Sequence, residues 1–567
     1  MKPACLLFNA DVRVMDHPGR RASALAWRDG KILAAGTDEE VTRAAGADAT
    51  RIDLHGATVL PGFTDAHQHP SLAAVYELGV RLAPPSVTNV ETLQATLAAA
   101  SRSLSPGQWL VATGWDESLL VERRPPTRQE LDDAVPDRPL FAIHYSYHRA
   151  VVNSRALELA GIGKGSADPS GGLISRGRRG LPDGLLIERA MGGAEGLARR
   201  SLVARDVEGL LARLRGHHRV LAAAGITRVV DSAVTPDLMT VYRELARRGE
   251  VLVPTVMMPV AGTSYLDEPW DALEGPPTGS DGSPDLAPLV TGPLKLIYDG
   301  APTCAMCMTA WQSLAAFFGA LALSIRRGSW DPVRTSMSVR PRLSRDGKLR
   351  SGLTLYKPEE AKKIVAAAVE RGFAIGTHAE GNLAMAETLE AYEAAGPALG
   401  RHGAPRIEHA LFLERELVPR LAALGCMVVA QPSFLGLPAF GDAPSVPRLP
   451  GLPIRWLLDG GVKVAGSSDF PVIGFDPLDG IRRAVTRVTG RGTAYEPGQA
   501  VTLDEALAMY TRAAAEAAGS LERCGTLEAG KRADVVVLNR ALATADDLEG
   551  ARVKATVIGG KVVAGAP

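Results

Sequence analysis

Charge of one sign is missing from this chain. Lys+Arg and Asp+Glu stand at 63 each over 567 residues. A chain without a net field is not steered to nucleic acid or to an anionic membrane. Aromatic residues are sparse, at 5%, and cysteines number five. Cys5, Cys304, Cys307, Cys426 and Cys524 are scattered and odd in number. That argues against a disulfide framework and for a reducing compartment, so a cytoplasmic protein is expected. The stretch Met1 to Ala10 has no long apolar run and meets Asp11 and Arg13 at once, so it does not read as a signal peptide. There is no internal repeat and no low-complexity tract. Cys304-Ala305-Met306-Cys307 is a lone CxxC pair, and structural zinc needs four ligands.

What is present is ordinary globular material, 46% hydrophobic and 22% charged, long enough for a large core and more than one domain. One stretch organises it: Val59-Leu60-Pro61-Gly62-Phe63-Thr64-Asp65-Ala66-His67-Gln68-His69-Pro70. An apolar run with strand character ends in two histidines one residue apart. Residues i and i+2 of a strand point to the same side, so His67 and His69 can aim two imidazoles at one ion. A bare His-x-His also reads as two loop histidines; its downstream partners decide.

Residues 1–58 alternate short apolar runs with turns, at Cys5 to Val14, Ser23 to Trp27, Lys31 to Ala35 and Ala57 to Leu60. Arg28-Asp29-Gly30-Lys31 reads as a hairpin turn. The end repeats this character at Ala533 to Leu538 and Ala555 to Val563. We therefore expect one small β-sandwich domain from residues 1–58 and 520–567. The middle alternates strand-like runs with helical stretches. Candidate strands are Thr58 to Ala66, Ile226 to Ser232, Val251 to Met258, Leu294 to Asp299, Phe373 to His378, Arg406 to Ala410, Met427 to Gln431 and Val462 to Ser467. Pro358 and Gly372 bracket a helix over Glu359 to Arg371. Eight strand–helix units predict an α/β fold, a (β/α)8 TIM barrel over 59–75 and 206–519. Residues 76–205 read as an inserted α/β lobe over the active site, and residues 301–350 as a second insertion. Within it, Met308 to Ile325 is unusually apolar but broken by Thr309, Gln312, Ser313 and Ser324. A buried or lid helix is the expectation, with membrane contact through 308–325 as the alternative. His217-His218 lies in an Arg-rich helical stretch and reads as a solvated face.

Barrel active sites lie at the C-terminal ends of the strands. The first ends in His67 and His69, the fourth carries Lys295, the fifth ends in His378, the sixth in His409 and the eighth in Asp469. Four of the eleven histidines sit at strand ends, which ordinary core histidines would not do. Asp469 alone also reads as a helix N-cap after Ser467-Ser468.

This set resembles the amidohydrolase superfamily of metal-dependent hydrolases. Within it the chain is most similar to amidohydrolase family 3, which includes the YtcJ-like proteins and N-substituted formamide deformylase. Gly114-Trp115-Asp116, Val152-Asn153-Ser154, Lys295 to Gly300 and Gly525 to Asp534 carry the likeness further along the chain. The resemblance implies that His67, His69 and Asp469 bind a more buried metal. His378 and His409 would bind a second, and a CO2-derived carbamate on Lys295 would bridge the two. One or two divalent ions per chain, Zn2+ first among them, and a homodimer are expected on the same ground. A bound ion would bring water's pKa towards neutrality, and Asp469 would shuttle its proton as general acid/base. Asp469, Lys295 and His378 are thus the catalytic candidates. One departure matters: ring deaminases of the superfamily carry a glutamate three residues after the fifth-strand histidine. Here that position is Gly381, and Glu380 comes one residue early, which favours an acyclic C–N bond.

Trp115, His148, Asn153 and Phe434 are candidate substrate contacts, suggesting an apolar or aromatic group on a small molecule. His148 reads equally as a packing residue. The function expected is amide-type hydrolysis. The alternatives are esters, carbamates, cyclic amides or lipid amides at the same site, or a non-catalytic scaffold of the same fold.

Overall fold

The strand ends that the sequence singles out belong to parallel strands: β1 (Phe63–Gln68), β2 (Ile226–Val234), β3 (Thr255–Pro259), β4 (Leu294–Ile297), β5 (Ile375–Ala379), β6 (Arg406–His409), β7 (Met427–Ala430) and β8 (Lys463–Gly466). The structure is a computed structural model that describes residues 3–260, 288–300, 304–328, 347–437 and 446–567, with 330, 333, 341–344 and 440 between them. Strands β1 to β3 and the short strand Leu289–Thr291 form one parallel sheet, and β4 to β8 form another. Nearly every residue of these strands is buried, as parallel sheets covered on both faces require.

The two sheets meet at two seams. At the first, Leu289–Thr291 pairs with β3, the chain passes Gly292-Pro293, and β4 then pairs with β5. Proline has no N–H to give the ladder, so the break falls there. A parallel bridge between Val260 and Lys295 spans the gap. At the second, the Asp469 N–H donates to the His67 carbonyl (2.8 Å) and the His69 N–H to the Phe470 carbonyl (2.7 Å). Asp65 reinforces it, accepting the Ser468 N–H (3.1 Å) and hydroxyl (2.6 Å) across 403 residues of sequence.

Thr58 to Pro61 was expected in the first barrel strand and is not. It pairs with Asp11–Arg13 and Val535–Leu538 in a six-stranded terminal sheet. The chain changes sheets at Gly62, where a Cβ would lie 2.2 Å from the Thr227 hydroxyl. Only glycine allows that approach. A second terminal sheet contains Cys5–Phe8, Ala24–Arg28, Lys31–Gly36 and Thr50–Asp53. One core runs between the two sheets, including Leu7, Leu25, Trp27, Val59, Val535 and Val557. Asp29 (φ 50°) and Gly30 (φ 80°) form the predicted hairpin turn. The helix around Glu359 runs Pro358–Glu370, with proline in its first turn and Gly372 beyond its end at φ 90°.

Residues 80–188 contribute a separate six-stranded sheet, ordered Gly172–Arg176, Pro182–Glu188, Arg149–Val152, Leu140–His144, Leu110–Trp115, Val80–Arg81. Part of the second insertion is also described: a small sheet of Met306–Met308, Arg342–Leu343 and Leu349–Ser351, and a helix, Ala310–Arg327. The remainder of 301–350 lies outside the described residues. The helix forms where the apolar run predicts, but it is not a buried helix. Gln312, Ala320 and Ser324 face the protein, while Trp311, Leu314, Phe318 and Ile325 are exposed. Of the four polar residues that interrupt the run, Gln312 and Ser324 turn inward, so hydropathy alone misassigned the faces. Among the described residues no helix is long and apolar enough to cross a membrane. His218 is also corrected: it is fully buried, and only His217, 3.0 Å from Glu77, keeps to the surface side of the helix Val207–Ala223.

Ser468→Ala removes one of the bonds that tie β1 to the loop after β8 and leaves a buried Asp65 oxygen short of a donor. That costs about 1–3 kcal/mol. The expected result is a lower apparent Tm by scanning calorimetry; an unchanged Tm refutes the importance of this link.

Candidate metal centre

His67 and His69 leave the end of β1 on one side, as the period of two requires. The His67 Nδ1–H donates to Glu408 Oε2 at 2.6 Å, and Arg406 braces Glu408 from the other side at 2.9 and 3.0 Å. This fixes the ring and leaves Nε2 facing inward, 3.4 Å from Asp469 Oδ1 and 3.4 Å from Lys295 Nζ. His69 Nε2 lies 3.1 Å from the same Asp469 oxygen. One ligand atom each of His67, His69 and Asp469 falls within 4.8 Å of the others.

A second group stands beside the first. His378, Glu380 and His409 each bring a ligand atom within 4.8 Å of one another. The His409 ring lies 4.9 Å from His67 and 4.3 Å from His378, centre to centre. The His409 Nδ1–H donates to Gln431 Oε1 at 2.8 Å, while the Gln431 amide donates to the Val429 carbonyl and the Ser467 hydroxyl. This presents His409 Nε2 to the site. Two donors arrive through left-handed backbone, Asp469 at φ 63° and His409 at φ 76°. Such conformations cost about 1–3 kcal/mol each and persist where surroundings over-determine them. At His409 the turn also breaks the strand alternation, which lets Glu408 and His409 serve the same centre.

Electrostatics match a cation. His69 Nδ1, His378 Nε2, His409 Nε2 and Glu380 Oε2 are buried without a hydrogen-bond partner. Three of these residues, His378, His409 and Glu380, belong to one ligand cluster, and buried atoms of this kind call for a partner. Burial keeps the three imidazoles His69, His378 and His409 neutral, with His409 down to about 3, which is the metal-binding form. Burial alone would raise Asp469, but hydrogen bonds from His67 and His69 hold it well below the usual range. Burial pushes Glu380 up to about 8, with nearby Asp299 adding to the shift. Imidazole nitrogens with carboxylate oxygens suit zinc and its neighbours. Burial lowers Lys295 to about 8, although Glu408 and Asp469 pull the other way.

The proposed substrate residues divide. His148, just before the strand Arg149–Val152, sets its ring 5.7 Å from His378, tilted by 56°, and donates Nδ1–H to Glu188 at 3.1 Å. Burial would lower it, but the Glu188 charge raises it to about 9. Phe434 lies nearly parallel to His409 at 6.1 Å and opens an apolar cluster with Leu411, Phe440 and Tyr495. Trp115 and Asn153 do not join them. Trp115 is fully buried in the core beneath its own sheet, its indole N–H donating to the Ala142 carbonyl at 2.9 Å. Asn153 caps the helix Ser154–Leu159 and spends its whole amide on the backbone of Val135, Arg138, Leu140 and Ala156. A fully used amide has nothing left for substrate.

Sequence reasoning missed Glu408, Gln431, Asp299 and the role of Asp65. Glu408 carried a signal, since Arg406 and Glu408 share one strand face as a pair. Glu380 repeats the His67/His69 spacing after His378 and was legible in the same way. Asp116, Glu117 and His144 also cluster, but Arg149 already stands there, 2.7 Å from Glu117 and 2.9 Å from His144 Nε2.

The model of the amidohydrolase family matches residues 50–564 of this chain. The N-substituted formamide deformylase of Arthrobacter pascens is 31% identical over 544 residues, covering 94% of this chain and 93% of its own. A putative amidohydrolase, YtcJ of Bacillus subtilis (strain 168), is 27% identical over 97% of this chain and 98% of its own. Among solved structures, a metal-dependent hydrolase from Pyrococcus horikoshii OT3 superposes with a TM-score of 0.67 at 22% identity, covering 96% of this chain and 99% of that one.

Gln431→Leu keeps volume but removes the acceptor that orients His409. Loss of such a partner weakens metal binding about 10–100-fold. Cobalt titration of the metal-free protein checks this, and unchanged affinity for every ion refutes it.

Proposed function

We propose a substrate and a mechanism from one premise: the chain belongs to the amidohydrolase family and is a hydrolytic enzyme acting on carbon–nitrogen bonds. We read the two parallel sheets as halves of one closed (β/α)8 barrel, the terminal sheets as a β-sandwich, and residues 76–205 as a lobe over the barrel mouth. The substrate is a small N-substituted amide with an apolar or aromatic group. The observation that carries this reading is the convergence of His67, His69, His378, His409, Asp469 and Lys295 in one buried cluster. The relative's name makes N-substituted formamides the first compounds to try.

In this reading His67, His69 and Asp469 would hold one ion and His378 and His409 the other, zinc by preference. Divalent ions there would acidify water to a nucleophile at neutral pH and polarise the carbonyl. Asp469, kept ionised by His67 and His69, accepts the proton of the attacking water. It returns that proton to the nitrogen as the C–N bond breaks. His148, held by Glu188, presents positive charge beside His378, where carbonyl oxygen gains negative charge. Phe434 and its apolar neighbours receive the substituent. Lys295, 3.4 Å from His67 Nε2, would if carboxylated by CO2 supply carboxylate oxygens to the ions. None of the five cysteines forms a disulfide among the described residues, which suits a cytoplasmic enzyme. A homodimer completes the proposal.

Elemental analysis of protein purified without chelator tests the metal reading. About two ions per chain are expected, with hydrolysis of N-substituted formamides abolished by chelation. Lys295→Ala is expected to lose an ion and at least about a hundredfold in turnover, since metal supplies several kcal/mol. A metal-free native protein that gains nothing from added zinc sinks the proposal.

Carboxylation needs the neutral amine of Lys295. With a pKa of about 8, roughly a tenth is neutral at pH 7, against less than about one in a thousand for an ordinary lysine. Reactivation of CO2-stripped enzyme by bicarbonate and zinc should therefore quicken from pH 6 to pH 8. It should level off only above about pH 9, one unit past the pKa, where about nine-tenths of the amine is neutral. A rate independent of pH refutes the carbamate.

A further inference from the structure

We propose that Glu380 is itself a metal ligand, the third protein donor of the ion held by His378 and His409. This rests on the metal-dependent reading above and adds a residue to it.

Glu380 follows His378 by two residues, so both side chains leave the end of β5 on the same side. Its carboxylate is 3% exposed and Oε2 has no hydrogen-bond partner. A ligand atom of Glu380 lies within 4.8 Å of those of His378 and His409. The backbone is pinned on both sides of it. The Glu380 N–H donates to Asp299 Oδ1 at 2.9 Å, and its carbonyl accepts the Phe412 N–H at 2.8 Å. The next N–H, of Gly381, donates to Asp299 Oδ2 at 2.9 Å. A Cβ on Gly381 would stand 2.0 Å from the Ala305 carbonyl oxygen, so glycine alone lets the chain turn there. Asp299 also accepts the Ala305 N–H at 2.8 Å and so fixes both walls of that turn. It is a positioning residue for Glu380.

The two donor sets then follow one plan. His67 and His69, two apart on one strand, are joined by Asp469 from another. His378 and Glu380, two apart on one strand, are joined by His409 from another. Each set is two imidazoles and one carboxylate, the three-protein-ligand count of catalytic zinc sites. The second ion would then have three protein donors in addition to a carboxylated Lys295.

The test is cobalt titration of the full-length metal-free protein, with elemental analysis, for the native chain and for Glu380→Gln and Glu380→Asp. The Gln variant should keep one ion per chain, at His67, His69 and Asp469, and bind the second at least about tenfold more weakly. The Asp variant keeps a carboxylate and should recover part of that affinity. Retention of the first ion shows that the variants are folded. Native-like affinity for the second ion in Glu380→Gln overturns the assignment. So does an Asp variant no better than Gln, including the case where both lose every ion. A native chain that binds no cobalt overturns the metal-dependent reading itself, a result distinct from either.

Discussion

The site depends on the join between the first and last parallel strands. His67 and Asp469 are neighbours only because the loop after β8 is stitched to β1 by main-chain hydrogen bonds from Asp469 and His69 and by Asp65 holding Ser468. These contacts are among the longest-range in the chain, and loop-closure entropy opposes them. The buried strands and the helices that cover them supply the hydrophobic burial that offsets it. Asp65 is buried deeply enough that its carboxyl is raised to about 6, despite the Ser468 and His67 groups that favour its charged form. A carboxylate held there by its donors gives direction, since a hydrophobic contact could not fix the Ser468 loop in one orientation.

Buried charge is then arranged in pairs, outward from the donors. Glu408 sits between His67 and Arg406; burial would raise it, but the Arg406 and His67 charges hold it far below the carboxylate range. Arg406 in turn donates to the carbonyls of Ala66 and Ala517. The outer shell is neutralised within the protein, whereas the inner donors His69, His378, His409 and Glu380 keep atoms without a partner. Removing one member of such a buried network leaves its partner unpaired, which is more damaging than the pair is stabilising. That asymmetry makes the outer residues as confining as the donors.

Much of this was legible in the sequence, because period-two geometry is local. The His67/His69 pair, the places of His378, His409 and Asp469 at or just past strand ends, and the turn at Asp29-Gly30 need only neighbouring residues to be read; Lys295 lies instead near the start of β4. Residues that act across strands were not. Gln431 means nothing until β6 and β7 lie side by side, and Glu408 only acquires its partner when β1 arrives. Trp115 and Asn153 misled for the opposite reason. Their residue types suit recognition, but a buried carbonyl at Ala142 and a helix N-terminus at Ser154 had already claimed them. The helix Ala310–Arg327 shows the limit of hydropathy: it reports that a face is apolar, not which face the fold covers.

The centre draws its donors and its surroundings from different parts of the chain. Every donor sits at the end of a parallel strand or on the loop directly after it. The groups beside the donors come from elsewhere: His148 and Glu188 from the six-stranded sheet of residues 80–188, Phe434 from the turn after β7. Glu188 holds His148 from a backbone at φ 50°, another left-handed position outside glycine. Strain therefore recurs at Asp469, His409 and Glu188, at side chains that face the centre from three separate elements. Each is a place where the regular strand direction would have aimed the side chain elsewhere. Phe434 lies nearly parallel to His409, 6.1 Å away between ring centres, so the apolar cluster it opens borders a donor ring. That ring is in turn held by Gln431, whose amide also reaches the Ser467 hydroxyl after β8, so the cluster and the donors share one chain of contacts.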